Sequence, residues 1–364
     1  MRRCWVEIDC DSLKSNMNLI LSKLDKTEKP MAVVKADAYG CGARFISKFL
    51  QENFEIKHWV VASLEEAVSL REIGIEGEIL VLGYTFPENA DLLAKYNISQ
   101  SVFCKEYAAE LSKKLSEINK KIPIHLAINT GMNRVGFLPS DDFMKYANLP
   151  GFVLNGIFTH LCCADSFSDE DVNFTASQIE KFREASSSIE NAHCKNSAAI
   201  LRRIGNGFNL VRPGIILYGL QPSKEVMCDD LKPVMSFKAT VSMVKTIKKG
   251  DVIGYGRTFC ADGERKIATV SVGYADGYFR GLSNKGKVLV KGKVARVVGN
   301  VCMDHIMVDV TGIDVKAQDV VTLFGSDGKN VISADDVADV IGTIGYEVMC
   351  NVSKRVPRVY INDK

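Results

Sequence analysis

No two cysteines in this chain have the C-x-x-C spacing; they fall at 4, 10, 41, 104, 162, 163, 194, 228, 260, 302 and 350. Metal knuckles need such pairs to set thiolate geometry, so no metal site is expected. An odd number scattered through apolar segments also speaks against a disulfide framework and fits reduced, mostly buried thiols. Charge of one sign is missing as well. Forty-six basic residues against 44 acidic ones leave a net +2, which gives no electrostatic case for nucleic acid or a membrane surface. No run approaches the roughly 18 apolar residues of a membrane span. The opening MRRCWVEIDCDSLKSN has no apolar stretch behind its two arginines, so a cytoplasmic location is expected. There is no internal repeat, low-complexity tract or disordered linker.

What the chain does have is an average soluble mixture, 46% apolar and 25% charged, over 364 residues, enough for one large or two ordinary domains. Its first two-thirds alternate short apolar runs with helical patterns. Strands are expected at MAVVK (31–35), HWVVA (58–62), EILVL (78–82), ISQSVF (98–103), IPIHLAI (122–128), LNGIFTH (154–160), AHCKN (192–196) and FNLVR (208–212). SLEEAVSLREIG opens with Ser63 and Glu66 in capping-box spacing, and residues 104–119 and 173–190 read as helices. Eight such β units imply a (β/α)8 TIM-type barrel. An open doubly wound sheet is the competitor, but no G-x-G-x-x-G follows the first strand. Beyond residue 230 the texture changes. Segments 234–247, 265–275, 287–298, 305–311 and 319–324 are β-rich and divided by Gly-containing turns, with one helix at SADDVADVIG. A mainly antiparallel β domain is expected there.

Active sites of such barrels sit at the C-terminal strand ends. The residues placed there are Lys35, the stretch Asn129 to Arg134, His160, Asn196-Ser197, and Arg212-Pro213-Gly214-Ile215. Barrels often bind phosphate with the loops after strands seven and eight; Gly214 allows close backbone approach and Ser197 supplies a hydroxyl. A phosphate cup plus a lysine at the first strand tip suggests a phosphate-bearing aldehyde held as a Schiff base, that is, pyridoxal 5′-phosphate. Taken singly, each residue has a duller role. Lys35 could snorkel to solvent, His160 could be a hydrogen-bonded structural residue, and Arg212 could be an ordinary ion-pair partner.

The motifs AVVKADAYGCG, NTGMNRVGF, GIFTHL, NSAAIL, VRPGIILYG, GYGRTF, SVGYADGY, GNVCMDHIMVDV and GYEVMCNVSKRVPRVY run in order over nearly the whole chain. In this order the chain resembles alanine racemase, a fold-type III pyridoxal-phosphate family. The resemblance implies a cofactor-binding barrel over 10–233 and a β domain over 234–364 joined by residues 1–9. It implies an amino-acid racemase that interconverts L- and D-alanine for cell-wall peptidoglycan, with an amino-acid substrate. By the same likeness Lys35 carries the cofactor and is one base. Tyr39, Ser197, Tyr346 and the Gly214/Ile215 backbone hold the phosphate, and Arg212 faces the pyridine nitrogen. Tyr255, on the β domain, is the opposite base and serves the other subunit of a homodimer. It is assisted by a hydrogen-bond chain through His160 to Arg212. Arg134 and the Met303 backbone meet the substrate carboxylate, Asp304 completes the electrostatic set, and Tyr274 lines the substrate entrance.

Two positions depart from the family pattern. Ala127 stands where a carbamylated lysine often lies, and Asn129 where an aspartate does; chloride or water could support Arg134 instead. Three other functions compete. A pyridoxal-phosphate homeostasis protein would lack the second domain. A fold-type III decarboxylase would need an acidic partner at the pyridine nitrogen. A serine racemase of the vancomycin-resistance type is nearer, since THLCCADSFSDEDVNFTASQIEKF resembles that branch, but Tyr346 and a start without a membrane segment favour alanine.

Overall fold

A computed structural model describes residues 2–328 and 330–363; residues 1 and 364, the ends of the expected domains, lie outside them. The chain divides into two compact units. One comprises Asn16–Leu217 with Gln221–Leu231; the other comprises Met1–Ser15, Tyr218–Leu220 and Lys232–Lys364.

The chain starts with strand β1 (Cys4–Asp9), part of the second unit. The first unit is built on β2 (Lys29–Val33), β3 (His58–Val61), β4 (Glu78–Val81), β5 (Ser99–Val102), β6 (Ile122–Ala127), β7 (Phe152–Phe158), β8 (Ala192–His193) and β9 (Leu210–Val211). All eight lie where expected, and neighbours pair in parallel in the order β8-β7-β6-β5-β4-β3-β2-β9. One helix fills each gap, as parallel crossovers require: Ala43–Phe54, Leu64–Glu72, Ala90–Lys95, Lys105–Glu117, Phe143–Ala147, Asp169–Ser186 and Ser197–Arg202. The seam between the two shortest strands, β8 and β9, is closed otherwise. Arg212 N–H donates to Lys195 O at 2.9 Å. At the other end of the seam Asn209 accepts from Ala192 N–H and donates to Asn191 Oδ1.

Three boundaries differ from the expected ones, each for a local reason. The first strand stops at Val33, because Lys35 already belongs to a turn. The helix expected over 173–190 is Asp169–Ser186, since Ser168 accepts from Asp171 N–H and starts it earlier. Segment 287–298 is a hairpin, Lys287–Val290 with Lys293–Val297, turned at Lys291 and Gly292 with φ of 49° and 69°. Two positive φ values in succession make the hairpin turn whose twist suits its strands.

In the second unit β10 (Met235–Ile247) is the organising strand. It pairs with β1, with Arg265–Val270 and with Val320–Asp327. The order continues from Arg265–Val270 through Ile306–Asp309, Lys293–Val297 and Lys287–Val290 back to Val320–Asp327. Six antiparallel strands therefore close on themselves, which leaves no open edge in that ring. Arg358–Ile361 adds parallel to β1. The first half of β10 alternates buried and half-buried residues, with Phe237 fully buried against Phe324. No described helix is long and apolar enough to cross a membrane.

Phe237→Ala should cost about 3–5 kcal/mol of stability through the cavity it leaves. A urea titration monitored by β-sheet circular dichroism would show it, and an unchanged midpoint would contradict the central place given to β10.

Candidate active site

Lys35 follows β2 directly, and the four residues after it are held left-handed. Ala36, Asp37, Ala38 and Tyr39 have φ of 53–54°. None is glycine, so each bears roughly 1–2 kcal/mol of steric strain. The turn persists because many of its backbone N–H groups are engaged. Ala36 N–H donates to Glu66 Oε1 at 2.7 Å, and Ala43 N–H donates to Asp37 Oδ1 at 2.8 Å. Ala38, Gly40, Cys41 and Gly42 N–H donate within the turn. The Ser63/Glu66 pattern is thus only half a capping box. Ser63 does accept from Glu66 N–H, but the Glu66 carboxylate goes to Ala62 and Ala36 N–H. Strain of this kind concentrates where a side chain must be aimed.

The turn brings Tyr39 against the loop after β9. A Cβ placed on Gly214 would lie 2.8 Å from Tyr39 Oη and 3.6 Å from Ser197 Oγ. Gly214 N–H donates to Ser197 Oγ at 3.0 Å. Two hydroxyls and a bare stretch of backbone therefore surround a space that a side chain would fill, a donor set suited to anionic oxygens. Ile215 follows, buried, at the start of a short 3-10 turn.

Arg212 is buried at the seam. Its NH1 donates to His193 Nδ1 and to His193 O (2.8 Å), and its NH2 to Thr159 O (2.7 Å) and Cys194 O (3.3 Å). Both terminal nitrogens are thus committed, leaving the Nε–H to point elsewhere. Among the described residues the side chain makes no ion pair, so the ordinary salt-bridge role does not apply. The expected hydrogen bond to His160 is replaced by one to His193, the imidazole on β8 beside it. Burial pushes the guanidinium down to about 10, so it stays charged at neutral pH.

His160 lies just beyond β7, with its carbonyl accepting from Gln178. Burial, then the charges of Arg212, Arg134 and Lys35, push its imidazole down to about 3. Every charge acting on it is positive, so it stays neutral, and the surroundings favour an anion. Arg134 is exposed, on a loop folded by Asn129. The Asn129 Oδ1 accepts from Gly131 and Asn133 N–H, and its Nδ2 donates to Asn133 Oδ1. Gly136, at φ 125°, lets that loop return so closely that a Cβ would meet Asn129 N at 2.6 Å. An uncharged Asn129 is sufficient to shape the loop.

The remaining predicted residues belong to the β unit. Tyr255 opens a short 3-10 turn between Gly254 (φ 70°) and Gly256 (φ 72°), is 76% exposed, and accepts from Asn300 Nδ2 through its carbonyl. Tyr274 and Met303 are drawn together by backbone bonds, Tyr274 N–H to Cys302 O and Ala275 N–H to Met303 O. Asp304, expected only to complete the electrostatic set, pairs with Arg355 at 2.6 Å. Arg355 and Arg3 also hold the fully buried Asp276, whose carboxylate accepts from Gly273 N–H. Tyr346 lies half-buried in the helix Gly345–Cys350. Sequence reasoning gave Glu66 only a helix-capping place and missed His193 and Asp276, because a charge or an imidazole in the chain by itself names no partner.

Relatives match this arrangement over its whole length. Residues 8–222 match the alanine racemase N-terminal domain and residues 234–360 the C-terminal domain. The chain is 46% identical to an alanine racemase of Clostridium novyi, covering 100% of this chain and 96% of the relative. Among solved structures it is similar to alanine racemase of Clostridium difficile, with TM-score 0.92 and 38% identity over 100% of this chain and 97% of that one. It is also similar to the Bacillus anthracis alanine racemase with bound L-Ala-P, with TM-score 0.92 and 35% identity over 100% and 96%.

The depressed His160 has a consequence for stability. Its ring stays neutral when folded but takes a proton below about pH 6.5 when unfolded, so stability falls as pH drops from there toward 3. His160→Gln should remove roughly 1.5 kcal/mol of the loss between pH 6.5 and 5. Parallel denaturant titrations at the two pH values measure it, and equal slopes for parent and variant would refute it. Two family-model domains and full-length relatives on the same scaffold place the chain in the alanine racemase family.

Proposed function

We propose that this protein interconverts L-alanine and D-alanine with pyridoxal 5′-phosphate as its cofactor, as a homodimer whose sites each use Tyr255 of the partner subunit, and that it supplies D-alanine for peptidoglycan. The observation that carries the reading is the gathering at one barrel end of Lys35, a neutral His160 among three cations, and the cradle of Tyr39, Ser197 and Gly214. The cradle fits a phosphate, and the cations fit a phosphate together with a carboxylate. A relative that carries L-Ala-P and another in complex with cycloserine support a small amino-acid substrate.

When bound, pyridoxal phosphate eases removal of the Cα proton by spreading the charge left on that carbon. Lys35 Nζ anchors the cofactor and takes or returns the proton on one face of Cα. Oη of the partner subunit's Tyr255 serves the other face, so the centre inverts without turning the substrate. The 76% exposure of Tyr255 in a single chain suits a side chain used by another subunit. Tyr39, Ser197, Tyr346 and the Gly214/Ile215 backbone hold the phosphate. Arg212 presents its remaining donor to the ring nitrogen and, being charged up to about pH 10, gives it no proton. His160, kept neutral, can accept a hydrogen bond from the tyrosine hydroxyl. Arg134 and the Met303 backbone meet the carboxylate, and Tyr274 lines the way in. Asp304 acts indirectly, by fixing Arg355.

Lys35→Ala protein incubated with pyridoxal phosphate and reduced with borohydride should show no cofactor mass on the denatured chain, whereas the parent should gain one per subunit. A retained mass would assign the anchor to another amine. Inactive Lys35→Ala and Tyr255→Phe proteins, once mixed, should recover activity through heterodimers that carry one intact site. No recovery after demonstrated subunit exchange would refute shared sites.

A further inference from the structure

The barrel interior contains a line of polar side chains where such barrels usually hold Val, Ile and Leu. Glu78 on β4, His125 on β6 and His193 on β8 come from alternate strands, the arrangement of one interior layer, and the line ends at Arg212 just past β9. His125 and His193 are fully buried. Arg212 NH1 meets His193 Nδ1; His193 Nε2 meets His125 Nδ1 at 2.9 Å; His125 Nε2 meets Glu78 Oε1 at 2.9 Å. Room for the line is made deliberately. A Cβ on Gly156 would strike His125 Cε1 at 2.4 Å and Nδ1 at 2.5 Å.

We propose that Glu78, His125 and His193 are positioning residues for the cofactor site: a one-way hydrogen-bond relay that fixes the Arg212 guanidinium and balances its charge with a carboxylate across the barrel interior. The inference rests on the reading of Arg212 as a cofactor-holding residue.

The direction of the relay follows from the donors. A guanidinium can only donate, so His193 Nδ1 is bare and its Nε2 carries the proton. That proton points at His125 Nδ1, which is therefore bare, and His125 Nε2–H points at the carboxylate. Any other assignment sets two donors or two bare acceptors face to face, which a buried site does not tolerate. Both rings are thus neutral and both carry their proton on Nε2. The far end is built to stay anionic. Glu78 Oε1 also accepts from Ser99 and Asn155, and Oε2 faces His58 Nδ1 at 3.3 Å. Burial favours its protonated form, but the bonds from His125, His58 and Ser99 outweigh that and hold the carboxyl well below its ordinary range. At the near end, Phe158 stacks on the His193 ring at 5.2 Å and lies under the Arg212 guanidinium at 5.6 Å. Without the anion, Arg212 would be a buried cation held only by carbonyl groups and a ring edge.

Two measurements test the relay. The chain has five histidines, so imidazole ¹⁵N spectra of the parent protein can be assigned by single substitution. His125 and His193 should both be neutral with the proton on Nε2, with or without added pyridoxal phosphate. A proton on Nδ1 of either ring, or a doubly protonated ring, overturns the relay whatever happens to the cofactor. The second is a double-mutant cycle on pyridoxal phosphate affinity, followed by its absorbance and protein fluorescence. Glu78→Gln should weaken binding by about tenfold in the parent and add nothing in an Arg212→Lys background. Parent-like affinity of Glu78→Gln, or the same tenfold loss in both backgrounds, overturns the claim that Glu78 acts through Arg212. A parent that binds no pyridoxal phosphate would defeat the functional reading instead, and the ¹⁵N spectra would still decide the relay.

Discussion

A guanidinium that keeps its proton at neutral pH is buried where the barrel closes, and much of the first unit is arranged around it. Arg212 joins β9 to the β8 side through its own N–H to Lys195 O. Its side chain turns inward and uses the carbonyls of Thr159, His193 and Cys194 as acceptors. One residue therefore completes the sheet with its backbone and sets the electrostatics with its side chain. Burial and then that charge keep His160 neutral, and a guanidinium that only donates leaves His193 Nδ1 bare. An apolar residue at 212 would take the donor away from the Thr159 and Cys194 carbonyls, and a lysine could not meet the same acceptors in one plane.

A second constraint lies after β2, the strand that pairs with β9. Four consecutive L-residues in the left-handed region are costly, and the chain accepts that cost directly after Lys35. A regular continuation of β2 would have carried the residues after Lys35 onward along the strand. The left-handed turn instead brings the Tyr39 hydroxyl back to Gly214 and leaves Lys35 at the rim. Glu66 holds the turn from the neighbouring helix, so strain at the site is balanced by a charge-assisted bond just outside it.

In the β unit the same logic uses ion pairs. Gly273 passes so close to Cys302 and Met303 that a Cβ would lie 2.3 Å from either carbonyl oxygen. Asp276 then fixes the loop by accepting from Gly273 N–H, while Arg3 and Arg355 neutralise it; Arg355 reaches on to Asp304. The loop of Tyr274 and the turn of Met303 are thereby held as one piece. Asp304 serves their geometry.

The eight barrel strands, the helices between them, the antiparallel second unit and the positions of Lys35, His160, Ser197 and Arg212 at strand ends were all legible from apolar periodicity and turn residues. Those signals are local, and the burial that produces them is repeated along each element. Hidden from that reading was everything set by the meeting of distant residues. Nothing in ADAY announces a left-handed turn, because the acceptor that holds it, Glu66, lies 30 residues away. Nothing in IPIHLAI or EILVL says that His125 and Glu78 touch, because alternate strands become neighbours only when the sheet curls into a barrel. The sequence by itself determined which residues carry charge, hydroxyl and imidazole and at which strand ends they stand. Only the tertiary structure decided which of them pair, since hydrogen bonding depends on distances of a few ångströms that chain order does not encode.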